Sequence, residues 1–150
     1  QNTKINSIKE KDQFILVPRK KQLLHRISEA MSNSEKTIKV ITSWKRHLQA
    51  QRIYKKALNK ALLKNVKIQV LVTEKPKHVP LPNYVKSFHD HPNTEVVVFE
   101  APSKVIEIII DDKEVFLITD PSADLAEAPA LWSNNTSLIE ALKTCFDVIF

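Results

Sequence analysis

The sequence predicts an α/β fold with a mixed, mostly parallel sheet flanked by helices. Short β-branched segments with alternating apolar and polar residues are separated by longer stretches whose apolar residues recur at helical spacing. The segments follow the order β-α-β-α-β-α-β-β-β-β-α. This order favours parallel strand pairs early in the chain and an antiparallel hairpin late in it.

The chain opens with a strand, a helix and a second strand. The apolar run at 14–17 ends at Pro18. A helix is predicted from about 19 to 32, because its apolar residues fall on one helical stripe. Residues 37–42 alternate and are rich in β-branched side chains, which is typical of a strand.

The middle of the chain is predicted to hold a long helix over about 47–64 and a strong strand over 66–73. Asn65, between them, stands where a left-handed helix cap is wanted, and Asn is the best substitute for Gly there. The chain has no glycine at all, so its tight turns must depend on residues such as Asn and Asp. A proline-rich loop covers 74–82, and a short helix is predicted at 83–89.

The second half is predicted to be rich in strands and to end in a helix. The predicted strands are 95–99, 105–110, 114–119 and a short edge strand at 130–132. Asp111 and Asp112 occupy the strained positions of a hairpin turn. The last helix runs from about 136 to the end, capped by Asn135 or Ser137, with Cys145 on its buried face.

Composition suits one domain of 150 residues. We expect residues 1–13 to be a linker or domain-boundary segment and 14–150 to be the folded domain, so the chain reads as a fragment of a longer protein. A single cysteine excludes an internal disulfide framework and a cysteine zinc site. The sequence contains no apolar run of membrane-spanning length and no signal-peptide core, so we expect a cytoplasmic protein without membrane contact.

Charge is distributed unevenly along the chain. Residues 1–75 contain 18 Lys and Arg against 5 Asp and Glu, whereas residues 76–150 contain 5 against 12. Such polarity could steer an anionic ligand, nucleic acid or an acidic partner. The alternative is that two solvated faces simply differ in sign.

Four stretches resemble one family of archaeal transcriptional regulators, the TrmB type. They are the entry into the first helix at Phe14–Pro18, the strand after Asn65, the hairpin around Asp111–Lys113, and Ala130–Asn135 before the last helix. These stretches resemble, in the same order and spacing, the C-terminal phospholipase D-like effector domain of that family. The resemblance covers about residues 12–150.

The resemblance implies a phospholipase D-like fold and a regulatory function. It implies an effector domain that senses a small molecule of unknown identity, forms a homodimer, and is joined to a DNA-binding winged helix-turn-helix that this chain does not contain. No cofactor is expected.

Active phospholipase D enzymes carry His-x-Lys followed after four residues by Asp. With Asp111 as the acid, the Lys and His positions hold Ile106 and Lys104; with Asp112, they hold Glu107 and Val105. We therefore expect no catalytic residues and no enzyme. A phospholipase D-like phosphodiesterase or nuclease with divergent residues stays an alternative, as does a nucleic-acid-binding module that uses the basic N-terminal half.

A ligand is expected at the carboxyl ends of the parallel strands, where open α/β sheets bind their ligands. The candidate ligand-binding residues are Ser43, Trp44, Arg46, Thr73, Lys104, Asp111, Trp132 and Asn134. The two tryptophans could stack on a ligand, although packing is the commoner role of such residues. Arg46 could bind a phosphate or carboxylate with two parallel hydrogen bonds. His89-Asp90-His91 has no third ligand in sight, so no metal site is predicted.

Overall fold

A computed structural model describes residues 12–100, 102, 105–120 and 122–150. Its strands are β1 (Phe14–Val17), β2 (Thr37–Ser43), β3 (Lys67–Thr73), β4 (Thr94–Phe99), β5 (Ile106–Ile110), β6 (Glu114–Ile118) and β7 (Ala130–Ser133). Its helices are α1 (Lys21–Ser32), α2 (Trp44–Ile53), α3 (Lys55–Leu63), α4 (Asn83–His89) and α5 (Thr136–Ile149).

The described strands form one seven-stranded sheet in the order β1-β7-β6-β5-β2-β3-β4. The predicted α/β architecture with a mixed sheet is confirmed. The expectation that the sheet is mostly parallel is wrong, because only β2–β3 and β3–β4 pair in parallel. The other four described pairs are antiparallel. Parallel neighbours need a crossover, and helices separate the strands only in the first part of the chain.

Strand direction gives the sheet two distinct ends. We call the end where β2, β3 and β4 finish, at Ser43, Thr73 and Phe99, the upper end. β5 is antiparallel to β2, so its last residue, Ile110, lies beside Ile38 near the opposite, lower end. Both β5 and β7 therefore finish at the lower end.

Helices cover the two faces of the sheet unequally. One face carries α1 to α4 and the main core, in which Leu23, Ile27, Leu58 and Phe116 are buried. The other face carries α5, whose Ile139 and Phe146 pack on small clusters of strand residues. Side chains of one strand alternate between these faces, so Ile106 and Glu107 point in opposite directions.

Helix positions agree with the sequence prediction except in the middle of the chain. The predicted helix 47–64 begins earlier, at Trp44, because the Ser43 hydroxyl accepts a hydrogen bond from the Arg46 N–H at 3.2 Å. It is interrupted at Tyr54, whose backbone (φ −99°, ψ 17°) is not helical. The interruption lets Tyr54, only 2% exposed, fill the core between the two helices.

Turn chemistry follows the prediction closely. Asn65 has φ 65°, and the N–H groups of Asn65 and Val66 bond to the carbonyls of Leu62 and Ala61, which closes α3 with a Schellman motif. Asp111 and Asp112 both have φ 54° in the β5–β6 hairpin. These residues take the left-handed positions that glycine would otherwise fill.

The start of the described domain contacts the start of the last helix at the lower end of the sheet. The Asn135 side chain caps α5 by accepting from the Leu138 N–H at 2.9 Å, and its amide donates to Asp12 at 2.7 Å. Cys145, expected to be buried, is exposed because α5 buries only Ile139 and Phe146 fully. Most of the predicted linker, residues 1–11, lies outside the described residues.

Candidate ligand-binding site

Four of the predicted ligand-binding residues lie together at the upper end of the sheet. Ser43 and Thr73 end the neighbouring strands β2 and β3 and face each other in register. Trp44 and Arg46 occupy the first turn of α2, directly above. All four are buried, and Arg46 is only 2% exposed.

The other described candidates lie elsewhere, so the expected cluster of eight residues does not form. Asp111, Trp132 and Asn134 follow or end strands β5 and β7, which run toward the lower end. β2 separates the two ends by seven residues, or about 20 Å. The predicted cluster requires these strands to run parallel to β2. Because they run in the opposite direction, Asp111 and Asn134 lie at the lower end, and Trp132 lies in the middle of the sheet, level with Val40. Lys104 lies outside the described residues.

Asp111 supports the structure at the lower end. Its carboxylate accepts backbone N–H bonds from Glu35, Lys36 and Thr37 at 2.7 to 3.2 Å. Three charge-assisted bonds fix the start of β2 against the β5–β6 turn. These bonds engage the carboxylate oxygens of Asp111 that a ligand or a metal ion would have to contact.

Trp132 and Asn134 are also occupied by protein contacts. The indole N–H of Trp132 donates to Glu114 at 2.8 Å, and the Arg26 guanidinium lies 5.2 Å from its ring centroid. The Asn134 side-chain oxygen accepts from the Gln13 N–H at 2.9 Å. At the upper end, Trp44 is covered in the same way by the Lys75 ammonium, 5.2 Å from its ring.

Arg46 is the unusual residue of the upper end, because its buried charge forms no ion pair with an acidic side chain among the described residues. Its Nη1 donates to the backbone carbonyls of Ala123 at 3.0 Å and Asp124 at 3.5 Å. Its buried Nε has no hydrogen-bond partner. Burial lowers the pKa of Arg46, and the nearby Tyr54, Asp124 and Asp120 oppose that shift.

A loop at 122–126 covers Arg46 and is attached to α2 by side chains on the outside of that helix. Gln49 donates to the Asp124 carboxylate at 3.0 Å and accepts from the Leu125 N–H at 2.8 Å. Lys45 pairs with Asp124 at 2.7 Å. Hydrogen bonds from Lys45 and Gln49 hold the pKa of Asp124 below its usual range.

Beneath this loop, α1, α2 and the sheet enclose a cavity of about 40 Å³. Most of its lining is apolar, including Ile106, the residue that stands where phospholipase D enzymes carry lysine. Its polar lining comprises Thr42, Arg46, His47, Gln51 and Tyr54. The buried Tyr54 hydroxyl has no hydrogen-bond partner, and burial raises its pKa, so it stays protonated as a donor.

His47, on the cavity wall, forms a pair with His89 of α4. Their Nε2 atoms are 2.8 Å apart, so one ring must donate to the other. Burial, and then the charge of His89, lower the pKa of His47 to about 3. Burial also lowers the pKa of His89. Both rings are therefore neutral at physiological pH.

The sequence analysis did not assign His47, Gln51 and Tyr54 to the site. These residues recur at i, i+4 and i+7, which places them on one face of the helical segment. Tyr54 is 2% exposed and lies on the buried stripe of this segment. The sequence feature that could have identified these residues is that two polar side chains, His47 and Gln51, share that buried stripe with Tyr54.

The described residues give no support to a metal site or a membrane span. No three His, Cys, Asp or Glu side chains within them are arranged to hold a metal ion. In the His89-Asp90-His91 motif, His89 contacts His47, and His91 accepts a hydrogen bond from the Asn93 N–H at 3.1 Å. None of the described helices combines the length and apolar character that crossing a bilayer requires.

A second candidate surface lies on the outside of the helical layer. Arg52, Lys55, Lys56, Lys60 and Lys64 are all exposed, and we call this set the basic face. The sequence has no Asp or Glu between Lys36 and Thr73. No ion pair involving these five side chains occurs among the residues that the structure describes. Lys64 donates to the Ser32 carbonyl at 2.7 Å.

Solved structures of the phospholipase D type share this fold. The Salmonella typhimurium phospholipase D family member Nuc matches 91% of this chain and 93% of its own, with TM-score 0.67 and 11% identity. NucT from Helicobacter pylori matches to the same extent, with TM-score 0.68 and 18% identity. The archaeal chromatin protein TrmBL2, described as showing a novel mode of DNA binding, matches with TM-score 0.66 and 14% identity.

That match covers 91% of this chain, but this chain spans only about half, 52%, of the TrmBL2 chain. The sequence matches no family model and no curated protein. At these identities the comparisons establish the fold, and the predicted phospholipase D-like fold class is confirmed.

The prediction that the chain is not an enzyme is wrong as it was argued. It depended on the absence of one linear motif, whereas the fold is shared over nearly its whole length with the phospholipase D family member Nuc and with NucT. Residues far apart in sequence can assemble a catalytic site, so the missing His-x-Lys does not exclude catalysis.

Proposed function

We propose that this chain is the phospholipase D-like module of a TrmB-like, DNA-associated regulator, and that its basic face binds the phosphate backbone of nucleic acid. The observation that carries this proposal is a row of five exposed cations in a segment of the chain without acidic residues. In such a regulator, DNA would also be bound by a winged helix-turn-helix outside this chain.

The geometry of the basic face suits a linear polyanion. Four of its residues extend along α3 from Lys55 to Lys64, which is about 14 Å of helix, and Arg52 precedes the interruption at Tyr54. That length matches about four phosphates of one DNA strand. A shallow groove between α1 and α3, lined by Ser28, Ser32 and Lys56 among others, adds two hydroxyl groups beside the cations.

Salt dependence of binding to a short random-sequence duplex tests the proposal. Lys55→Gln/Lys56→Gln/Lys60→Gln should weaken binding and reduce the slope of log K against log salt by about 2.7, since each neutralised contact contributes about 0.9. A matched control is Lys67→Gln/Lys86→Gln, which removes lysines paired with Glu95 and Asp90. Equal slopes for the triple variant and the wild type would refute the basic face as the contact surface.

We further propose that this chain acts as an effector domain, which senses a small molecule at the upper end of the sheet. The support is a cavity with buried polar groups there, Arg46 and Tyr54, whose hydrogen-bonding capacity the protein does not use. A ligand that enters would press on the loop at 122–126, which is the cavity's cover.

We also propose a homodimer. Phe14 and Leu16 on β1 are 56% and 68% exposed, and Val148 and Ile149 at the end of α5 are 81% and 41% exposed. Exposed apolar side chains of this size favour a protein interface. Light scattering should give twice the chain mass, and Leu16→Glu/Val148→Glu should return it to one chain. A wild-type mass of one chain would contradict the dimer.

Phosphodiester hydrolysis is a second candidate function, favoured by the fold shared with Nuc and NucT. Turnover of bis(p-nitrophenyl) phosphate that is lost in His47→Gln and kept in Lys45→Gln would support it. Asp111→Ala is unsuitable as the test variant, because that carboxylate holds three backbone N–H groups. Turnover no higher than in buffer alone would remove this candidate.

A further inference from the structure

A buried guanidinium needs a counter-charge, and among the described residues Arg46 forms no ion pair; the charges of Asp124 and Asp120 act on it only from farther away. Its partners among the described residues are two backbone carbonyls. The nearest candidate acid, Asp124, instead pairs with Lys45 at 2.7 Å and Gln49 at 3.0 Å. A buried charge without a partner is strongly unfavourable, and arginine cannot lose its proton in the usual pH range.

The unused hydrogen-bonding groups of the cavity include two donors, although the Tyr54 hydroxyl can also accept. Arg46 Nε–H can only donate, and the protonated Tyr54 hydroxyl has no acceptor. His47 is already engaged with His89. Arg46 and Tyr54 line the same cavity and are each 2% exposed. The occupant that satisfies them must therefore present acceptor oxygens.

Size and charge together restrict the occupant. A cavity of about 40 Å³ holds a water molecule or the head of a small ligand, since one water needs only about 10–15 Å³. Water would accept from the two donors but would leave the guanidinium without a counter-charge. A carboxylate or phosphate supplies both the acceptors and the charge, and guanidinium binds these groups with strong charge-assisted bonds.

We propose that this cavity binds the anionic head, carboxylate or phosphate, of a small molecule, with Arg46 supplying the charge and Tyr54 a neutral hydrogen bond. The inference deepens the effector role proposed above and rests on it for its regulatory meaning. It does not depend on the basic face. The body of the ligand would extend under the loop at 122–126, which the side chains of Lys45 and Gln49 hold in place.

Thermal denaturation of the whole chain with acetate or inorganic phosphate, at an ionic strength held constant with chloride, tests the site. The wild-type Tm should rise with the concentration of one probe and not with chloride, because a ligand that binds only the folded state stabilises it. Which probe acts distinguishes a carboxylate from a phosphate ligand.

Three variants assign the effect to residues. Arg46→Gln should weaken the apparent affinity about 10- to 100-fold and Tyr54→Phe about 3- to 10-fold, as expected for a charged and a neutral hydrogen bond. Lys67→Gln removes the same charge from an exposed position at the opposite, lower end of the sheet and should leave affinity unchanged. If Arg46→Gln does not fold, Tyr54→Phe still provides the comparison.

The proposal is overturned if neither probe raises the wild-type Tm, or if Arg46→Gln and Tyr54→Phe both respond as the wild type does. It is equally overturned if Lys67→Gln loses the response as fully as Arg46→Gln, because the anion would then be held by surface charge and not by the cavity. Binding of the same variants to duplex DNA distinguishes a failure of the anion cavity from a failure of the basic face. Arg46→Gln should keep the duplex affinity, and the basic-face triple variant should keep the Tm response.

Discussion

Glu107 is a buried carboxyl group whose replacement by glutamine should stabilise the protein in a pH-dependent way. It lies on β5 between Ile41 and Leu117 and is 6% exposed, and its Oε1 has no hydrogen-bond partner. Burial alone raises its pKa from 4.5 to about 7. Ionised Glu107 therefore destabilises the folded state at neutral and alkaline pH.

The sign and size of the effect follow from linkage. Because the folded-state pKa is raised, the unfolded state releases the Glu107 proton first as the pH rises from 4.5, and stability falls until the folded state also ionises near pH 7. At about 1.4 kcal/mol per pH unit, this loss amounts to about 3 kcal/mol. Glu107→Gln keeps the shape of the protonated side chain and cannot ionise.

Urea denaturation followed by the fluorescence of Trp44 and Trp132 measures the difference. We expect Glu107→Gln to match the wild type near pH 4 and to exceed its unfolding free energy by about 3 kcal/mol at pH 8. Glu95→Gln, at an exposed position of β4, is the matched control and should change stability by less than about 1 kcal/mol. A stability difference that does not vary with pH would refute the reasoning.

Three further predictions test other parts of the fold. The folded-state pKa of His47 is lowered, so stability should fall as the pH drops below 6.5 toward about 3, by up to about 1.4 kcal/mol per pH unit; His47→Gln should flatten that slope in pH-dependent urea denaturation. Asp111→Asn should cost about 2–4 kcal/mol of unfolding free energy at pH 7, and an unchanged urea midpoint would contradict its role in holding β2. Asn65→Ala should lower Tm through a cost of about 1 kcal/mol at positive φ, whereas Asn65→Gly should not.

The local parts of the fold could be predicted because each depends on neighbouring residues. The turn at Asp111 and Asp112 and the cap at Asn65 are set by the few side chains that tolerate positive φ, and the sequence shows them directly. The interruption at Tyr54 could not be predicted in this way. It depends on how a large side chain packs against elements distant in sequence.

Only half of the predicted ligand-binding residues lie together, because the direction of a strand depends on residues distant in sequence. Ser43 and Thr73 follow strands joined by helical crossovers, for which parallel pairing is the rule, and they do meet. Trp132 lies in a strand that follows a long irregular segment, which leaves its direction open, and Asn134 comes directly after that strand. The sequence also gave no sign that Arg46 lacks an acidic partner, since that depends on which groups the loop at 122–126 brings close.

Arg46 and Glu107 together explain why the upper end of the sheet needs a ligand on one face only. Both are buried near that end without an ion pair to any of the described residues, and the sheet separates them, so neither neutralises the other. Glu107 can relieve its burial by taking up a proton, as its pKa of about 7 indicates. Arg46 has no such route, because deprotonating a guanidinium is too costly at physiological pH. Only the arginine face must therefore recruit an anion, and the cavity beneath the loop at 122–126 is the space in which that anion fits.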